Sequence, residues 1–176
     1  MLSDKAMHDR MEKGWRGGCP DGTICGPGST RANTRVITGW LPDLCKRFDI
    51  NSVCDAGAGD LHWVRWVDWD VKYRAYDLIP RSHDVEKLDI TTESIPKCDA
   101  ILCRMVLNHL CKARTTMAIN LFRESANYLI ATHFVGDRAK RDRAFTRLDM
   151  CSYLGDPLEM ARDGYEDNCR LALWEL

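Results

Sequence analysis

No apolar run in the 176 residues approaches the ~18 needed to span a membrane as a helix. The opening "MLSDKAMHDRMEKGW" also lacks the apolar core of a signal peptide. Both absences point to a cytoplasmic chain with no membrane partner. Net charge is nearly absent too: 25 Lys and Arg face 26 Asp and Glu, leaving −1. A wholesale nucleic-acid binder is usually basic, so that class is disfavoured. Cysteine is plentiful but unpatterned. The nine cysteines include no C-x-x-C pair, which excludes zinc knuckles and dithiol redox motifs. Several, such as Cys54 and Cys103, sit in apolar runs, where a reduced thiol acts as a small hydrophobe. His and Asp show no H-x-x-x-H spacing, so no metal site is expected. Internal repeats and low-complexity tracts are missing as well.

What is present reads as a single domain over 1–176, since domains typically hold roughly 100–200 residues. Residues 14–30, "GWRGGCPDGTICGPGST", carry six glycines and two prolines and predict a loop. Residues 1–28 are expected to be either a lid or a flexible leader. Ser29 and Thr30 are good N-caps. Ile37, Trp40, Leu41, Leu44 and Phe48 then recur at helical spacing, with a break or restart expected at Pro42. "INSVCD" predicts a buried strand ending at Asp55, "LHWVRWV" a short helix, and "VKYRAYD" a second strand ending at Asp77. Residues 78–85 are too short and proline-marked for a full helix. "EKLDIT" reads as a weak third strand carrying Asp89, and "CDAILCRMV" as the most apolar strand. A helix is expected over 112–126, with Met117, Leu121 and Phe122 inward. "NYLIATHF" is a fifth strand, and "PLEMARDGYEDNCRLALWEL" predicts two more around a turn.

Strands alternating with helices imply an α/β fold: a doubly wound, mostly parallel seven-stranded sheet of Rossmann-like type. The last two strands, joined by too few residues for a crossover, should pair antiparallel. Such sheets bind ligands beyond the carboxyl ends of their strands, where strand order reverses. The exit of the first strand, "DAGAGD", lies there. A dinucleotide fingerprint needs a third glycine, but His62 takes that place. Asp60 would also repel a pyrophosphate from a helix N-terminus. "GTICGPGS" lacks the Lys of a P-loop. S-adenosylmethionine (SAM) suits the residues better, because it carries an ammonium and a sulfonium and no phosphate. Glycines let the backbone approach it closely. Asp77 can accept its ribose hydroxyls and Asp89 its adenine amino group.

The ordered set "DAGAGD", "AYDLIP", "LDIT" and "CDAILCRMVLNHL" resembles class I SAM-dependent methyltransferases. Over about residues 26–176 the chain is similar to one group of them from bacteria and their phages. That group shares a "GPGST" opening, a "WLP" helix, an acidic glycine cradle followed by Trp, and a terminal "PLE" to "LALWEL" strand pair. The resemblance implies SAM as cofactor and methyl transfer to oxygen or nitrogen. It implies cofactor contacts from Asp55, Ala56, Gly57, Gly59, Asp60, Asp77, Leu78, Asp89, Ile90 and Arg104. His109 is the candidate catalytic base, with the bland alternative that its ring packs the first turn of a helix. Asp60 could equally cap the chain that follows it.

DNA amino methyltransferases carry a D/N-P-P-Y/F motif after the fourth strand. This chain reads "CRMVLNHL" there, which favours a small-molecule acceptor. Nucleic acid survives as an acceptor only through Arg138, Lys140, Arg141, Arg143 and Arg147. A SAM-binding module without transferase activity is the rival from another class, and a nicotinamide enzyme the third. Trp63, Trp66 and Trp69 suggest an aromatic cluster that is core and rim before it is a stacking platform.

Overall fold

The computed structural model describes residues 19–136 and 146–176. Helix α1 (Arg31–Arg47) is the first α-helix among the described residues, with Thr30 as N-cap accepting from the Asn33 amide. Its buried face is Thr34, Ile37, Leu41, Leu44 and Cys45, the stripe that the spacing predicts. The helix does not break at Pro42 but runs through it. Burial of Leu41 and Leu44 on either side of the proline offsets the one missing backbone bond.

Seven strands follow in the order β3-β2-β1-β4-β5-β7-β6. They are β1 (Ser52–Ala56), β2 (Lys72–Asp77), β3 (Val85–Lys87), β4 (Ala100–Cys103), β5 (Tyr128–Phe134), β6 (Glu159–Arg162) and β7 (Cys169–Glu175). β1 through β5 pair parallel, while β7 runs antiparallel to both β5 and β6. This is the predicted doubly wound sheet with an antiparallel C-terminal pair. β4 is buried along its whole length, as expected for a parallel strand covered on both faces.

One core layer joins α1 to the sheet through Ile37, Leu41, Val53, Ala75 and Leu102. The other seats helix α2 (Lys112–Ser125) through Ala118, Ile119 and Phe122 against Ile101, Leu129 and Trp174. Met117 is 46% exposed rather than inward. The inward row is instead Thr115, Ala118, Ile119, Phe122 and Ser125, one helical stripe that excludes position 117.

Two local expectations change and one holds. "LHWVRWV" supplies only one 3₁₀ turn, Val64–Trp66. β3 stops at Lys87, so Asp89 lies beyond the strand end. The connection from β2 to β3 has no helix, as its length and proline predict. Helix α3 (Cys151–Leu154) is a single turn before β6. All described cysteines are free thiols. No helix among the described residues is long and apolar enough to cross a membrane.

Candidate cofactor site

The site forms where β1 and β2 end side by side. Gly57 leaves β1 at φ +99° and Gly59 follows at φ +62°, conformations that exact a cost from any residue with a Cβ. The amides of Gly57 and Ala58 both donate to the Tyr76 carbonyl, at 2.8 and 3.0 Å. This folds the hinge back over the end of β2. The Gly59 amide then donates to Asp77 Oδ2 at 2.9 Å, and the Ile79 amide to Oδ1 at 2.9 Å. Hinge and second-strand acid are therefore one unit. Each carboxylate oxygen keeps a further lone pair for a ligand hydroxyl. Leu78 is half-buried beside it.

Asp55 is 3% exposed and accepts from the Tyr73 hydroxyl at 2.6 Å. Burial pushes its carboxyl up to about 7, with the Tyr73 bond and Arg104 opposing and Asp77 adding to the rise. Ala56 is fully buried in β1. Asp89 Oδ1 accepts from the Thr91 amide and hydroxyl at 2.9 and 2.7 Å, so this acid organises the turn after β3. Ile90 is buried in the core beside Leu88.

Asp60 does more than cap its own chain. Its Oδ1 accepts from the His62 amide at 3.1 Å, while Oδ2 accepts from the Thr23 hydroxyl and the Ile24 amide, both at 2.8 Å. Burial works against ionisation, but these bonds outweigh it and hold Asp60 below the usual carboxylate range. The segment it grips crosses the hinge. Cys25 Sγ stands 2.6 Å from where a Cβ on Gly59 would be, and Val106 Cγ2 stands 2.2 Å from the same point on Gly57. Asp21 adds a contact to His62 Nε2 at 3.1 Å and accepts from the Arg31 amide at 2.7 Å.

Arg104, expected to face the cofactor, is spent elsewhere. Its guanidinium makes a two-pronged pair with Asp163 at 2.7 and 2.9 Å and donates to the Gly28 carbonyl at 2.7 Å. It also lies 5.1 Å from the ring centre of Trp63. Both side chains of the pair are nearly inaccessible, at 3% and 0% exposure. The pair ties the end of β4 to the β6–β7 connection and to the loop before α1.

After Arg104, Met105 takes φ +56° and its amide donates to Thr132 Oγ1 at 2.7 Å. The turn Leu107–His109 follows. His109 is half-buried, and Asn108 is 2% exposed with neither amide atom hydrogen-bonded. A buried polar group left unpaired costs about 1–3 kcal/mol, and such groups cluster where function needs them.

The tryptophans divide between core and rim, with Trp63 in one core layer, Trp69 packed against that layer and Trp66 at the surface. Trp63 is buried under Arg104, Trp66 is 54% exposed beneath Arg31, and Trp69 stacks on Tyr73. Of the basic tract, Arg138, Lys140, Arg141 and Arg143 lie outside the described residues. Arg147 pairs with Glu166 at 2.8 and 3.0 Å.

Sequence spacing gave no hint of His133, Asp149 and Cys151, whose donor atoms lie within 4.8 Å of one another. The Met150 amide donates to His133 Nδ1 at 3.2 Å, so the ring proton sits on Nε2, facing Cys151 Sγ at 3.9 Å. Both nitrogens are engaged, and the ring keeps no lone pair for a metal.

The strand order with its antiparallel β7 is the α/β fold of solved structures of SAM-dependent methyltransferases. A methyltransferase structure from Clostridium acetobutylicum superposes with TM-score 0.59 at 12% identity, covering 78% of this chain and 89% of that one. Magnesium protoporphyrin IX methyltransferase from Synechocystis, with bound S-adenosylhomocysteine (SAH), gives 0.56 at 14%, covering 78% of each. The Burkholderia thailandensis 1,6-didemethyltoxoflavin-N1-methyltransferase gives 0.58 at 13%, covering 82% and 78%. No family model and no curated protein matches the chain.

Proposed function

We propose that this chain binds SAM at the β1–β2 edge and transfers its methyl group to an oxygen or nitrogen of a small-molecule acceptor. The carrying observation is the single unit made by the Gly59 amide and the Asp77 carboxylate. It presents a side-chain-free hinge and an acid within one hydrogen bond of each other, at the place where open α/β sheets bind ligands. The hinge fits the group: glycines at 57 and 59 let a ligand approach the backbone closely, and the nearby acids suit a cation rather than a phosphate.

SAM, when bound, supplies a methyl group on a positively charged sulfur. The chain's own part is placement. Asp77 has oxygens fixed by two amides and can accept from ribose hydroxyls without reorganising. Asp89, beyond the end of β3, is the acceptor for the adenine amino group, with Leu78 and Ile90 as apolar flanks. Asn108 and His109 stand at the carboxyl end of β4. Asn108, with its unpaired carboxamide, is the group to orient a polar acceptor, and His109 the group to take its proton when one must leave. Methyl transfer from a sulfonium needs no metal, and alignment with exclusion of water accounts for most of what a protein contributes.

Parallel calorimetric titrations with SAM, SAH and NAD test the cofactor. Binding of the first two without NAD is the expected result, and NAD binding alone would refute it. Formation of SAH in the presence of candidate acceptors separates transfer from binding. The segment lying over Gly59 favours the second reading, a SAM-binding module without transfer; such a module would bind SAM and form no SAH with any acceptor.

A further inference from the structure

The chain from Asp21 to Gly28 lies across the hinge that the proposed cofactor needs. Its inner contacts converge on one carboxylate, since Thr23 Oγ1 and the Ile24 amide both donate to Asp60 Oδ2. Thr23 is 2% exposed and its hydroxyl also accepts from the Cys25 amide at 3.2 Å. This turns the Cys25 thiol down onto Gly59, the face that the absence of a side chain leaves bare. Cys25 is exposed as a residue, yet desolvation of its thiol against the hinge, reinforced by the Asp60 charge, pushes the thiol up to about 12. Gly22 at φ +87° and Gly26 at φ +101° bracket the segment, the kind of positions that absorb a backbone swing. Beyond them Gly28 is anchored by Arg104 and Thr30 by its cap on α1.

We propose that Gly22–Gly26 is a gate over the cofactor cradle, latched by Asp60, and that it must lift before a ligand can seat against Gly59. The proposal rests on the cofactor reading above. The thiol and a ligand cannot occupy the bare face of Gly59 together, so latched and loaded states exclude one another. Lifting removes two donors from Asp60 Oδ2, and the ammonium of SAM or SAH is the cation that replaces them. Asp60 thus exchanges an internal partner for a ligand, and the gate tests for a positive charge before it yields.

The test uses the full chain with Thr23→Val, which keeps the shape and removes the latch hydroxyl, and Asp60→Asn as a second latch variant. Alkylation of Cys25 by iodoacetamide is followed by peptide mass spectrometry, with and without SAH, alongside calorimetry. Losing a hydrogen bond to a charged group weakens the latched state on the order of tenfold. Cys25 is exposed in the latched state, so the readout is thiolate formation, which rises once the thiol leaves Gly59 and the Asp60 charge. The ligand-free Thr23→Val chain is therefore expected to alkylate at Cys25 about tenfold faster. It should also bind SAH more tightly, because less of the chain must be drawn from the closed state. Asp60→Asn should speed Cys25 alkylation as well, and SAH should speed it in the unaltered chain. Unchanged alkylation in both latch variants overturns the gate. SAH binding of equal affinity in the unaltered and Thr23→Val chains also overturns it, while leaving the cofactor reading intact. SAH binding to neither chain overturns the cofactor reading and the gate with it.

Discussion

Replacing Asp163 by Ala should be among the most damaging single changes in the chain. It strands the Arg104 guanidinium at 3% exposure, leaving it the Gly28 carbonyl and the Trp63 ring as direct contacts. Breaking a buried pair by removing one partner costs about 3–5 kcal/mol, because the remaining charge is left without compensation. Domains hold only about 5–15 kcal/mol in total, so the loss is a large share of stability. At this chain length each kcal/mol moves the thermal midpoint by roughly 2–4 °C, so a drop of about 6–20 °C is expected. Circular dichroism melts and urea titrations measure it. The double change Arg104→Met with Asp163→Leu should recover much of the loss, since apolar replacement of a whole buried pair is often neutral. A single-variant loss below about 1 kcal/mol, or a double variant worse than the single one, would refute the burial argument.

Asp77→Ala should weaken SAM or SAH by about 1.5–3 kcal/mol, the worth of a charge-assisted hydrogen bond, as calorimetry will show; unchanged affinity would misplace the ribose. Asp55 has a folded value near 7, above the ordinary carboxylate, so the folded chain holds the proton more tightly than the unfolded one. Stability should therefore fall as pH rises from about 4 to 7, by at most about 1.4 kcal/mol per pH unit, and level off above; Asp55→Asn should flatten that slope in urea titrations, and an identical slope would contradict it. Gly57→Ala places a Cβ 2.2 Å from Val106 Cγ2 at φ +99° and should cost about 2–5 kcal/mol in thermal melts. Gly39→Ala, in open space on α1, should instead stabilise by about 0.5–1 kcal/mol.

The sheet was legible because apolar runs mark its strands directly: Val53 and Cys54 in β1 and all of "AILC" in β4 are buried continuously. The hinge was legible because glycine spacing and strand-end acids are local patterns. Arg104 was not, because its partner lies 59 residues away and nothing near "CRMV" announces Asp163. Asp60 was half legible. Its place beside the hinge was evident, but its grip on Thr23, 37 residues back, depends on how the leading segment folds across the sheet. Met117 shares apolar character with Leu121 and Phe122 but lies outside the buried row, which small polar residues, Thr115 and Ser125, complete. Propensity and period assign elements well, but they do not reveal which polar groups meet across the fold.

The helix missing between β2 and β3 shows how those meetings shape the site. In a parallel sheet both faces need cover, and the β2–β3 connection supplies none. Trp69 and Tyr73 supply part of it, stacked at 5.1 Å beside a cavity of about 330 Å³ lined by Leu61, Val64, Arg65 and Glu86 among others. Tyr73 turns its hydroxyl onto Asp55 at the end of β1. One aromatic side chain thus shields the sheet where a helix is absent and steadies the acid that begins the hinge. Tyr73→Phe would keep the stack and release only Asp55, whereas Tyr73→Ala would open the sheet face as well. Shortening the crossover therefore ties cover of the sheet and polarity of the site to the same residue, a coupling that a longer chain with its own crossover helix would not have.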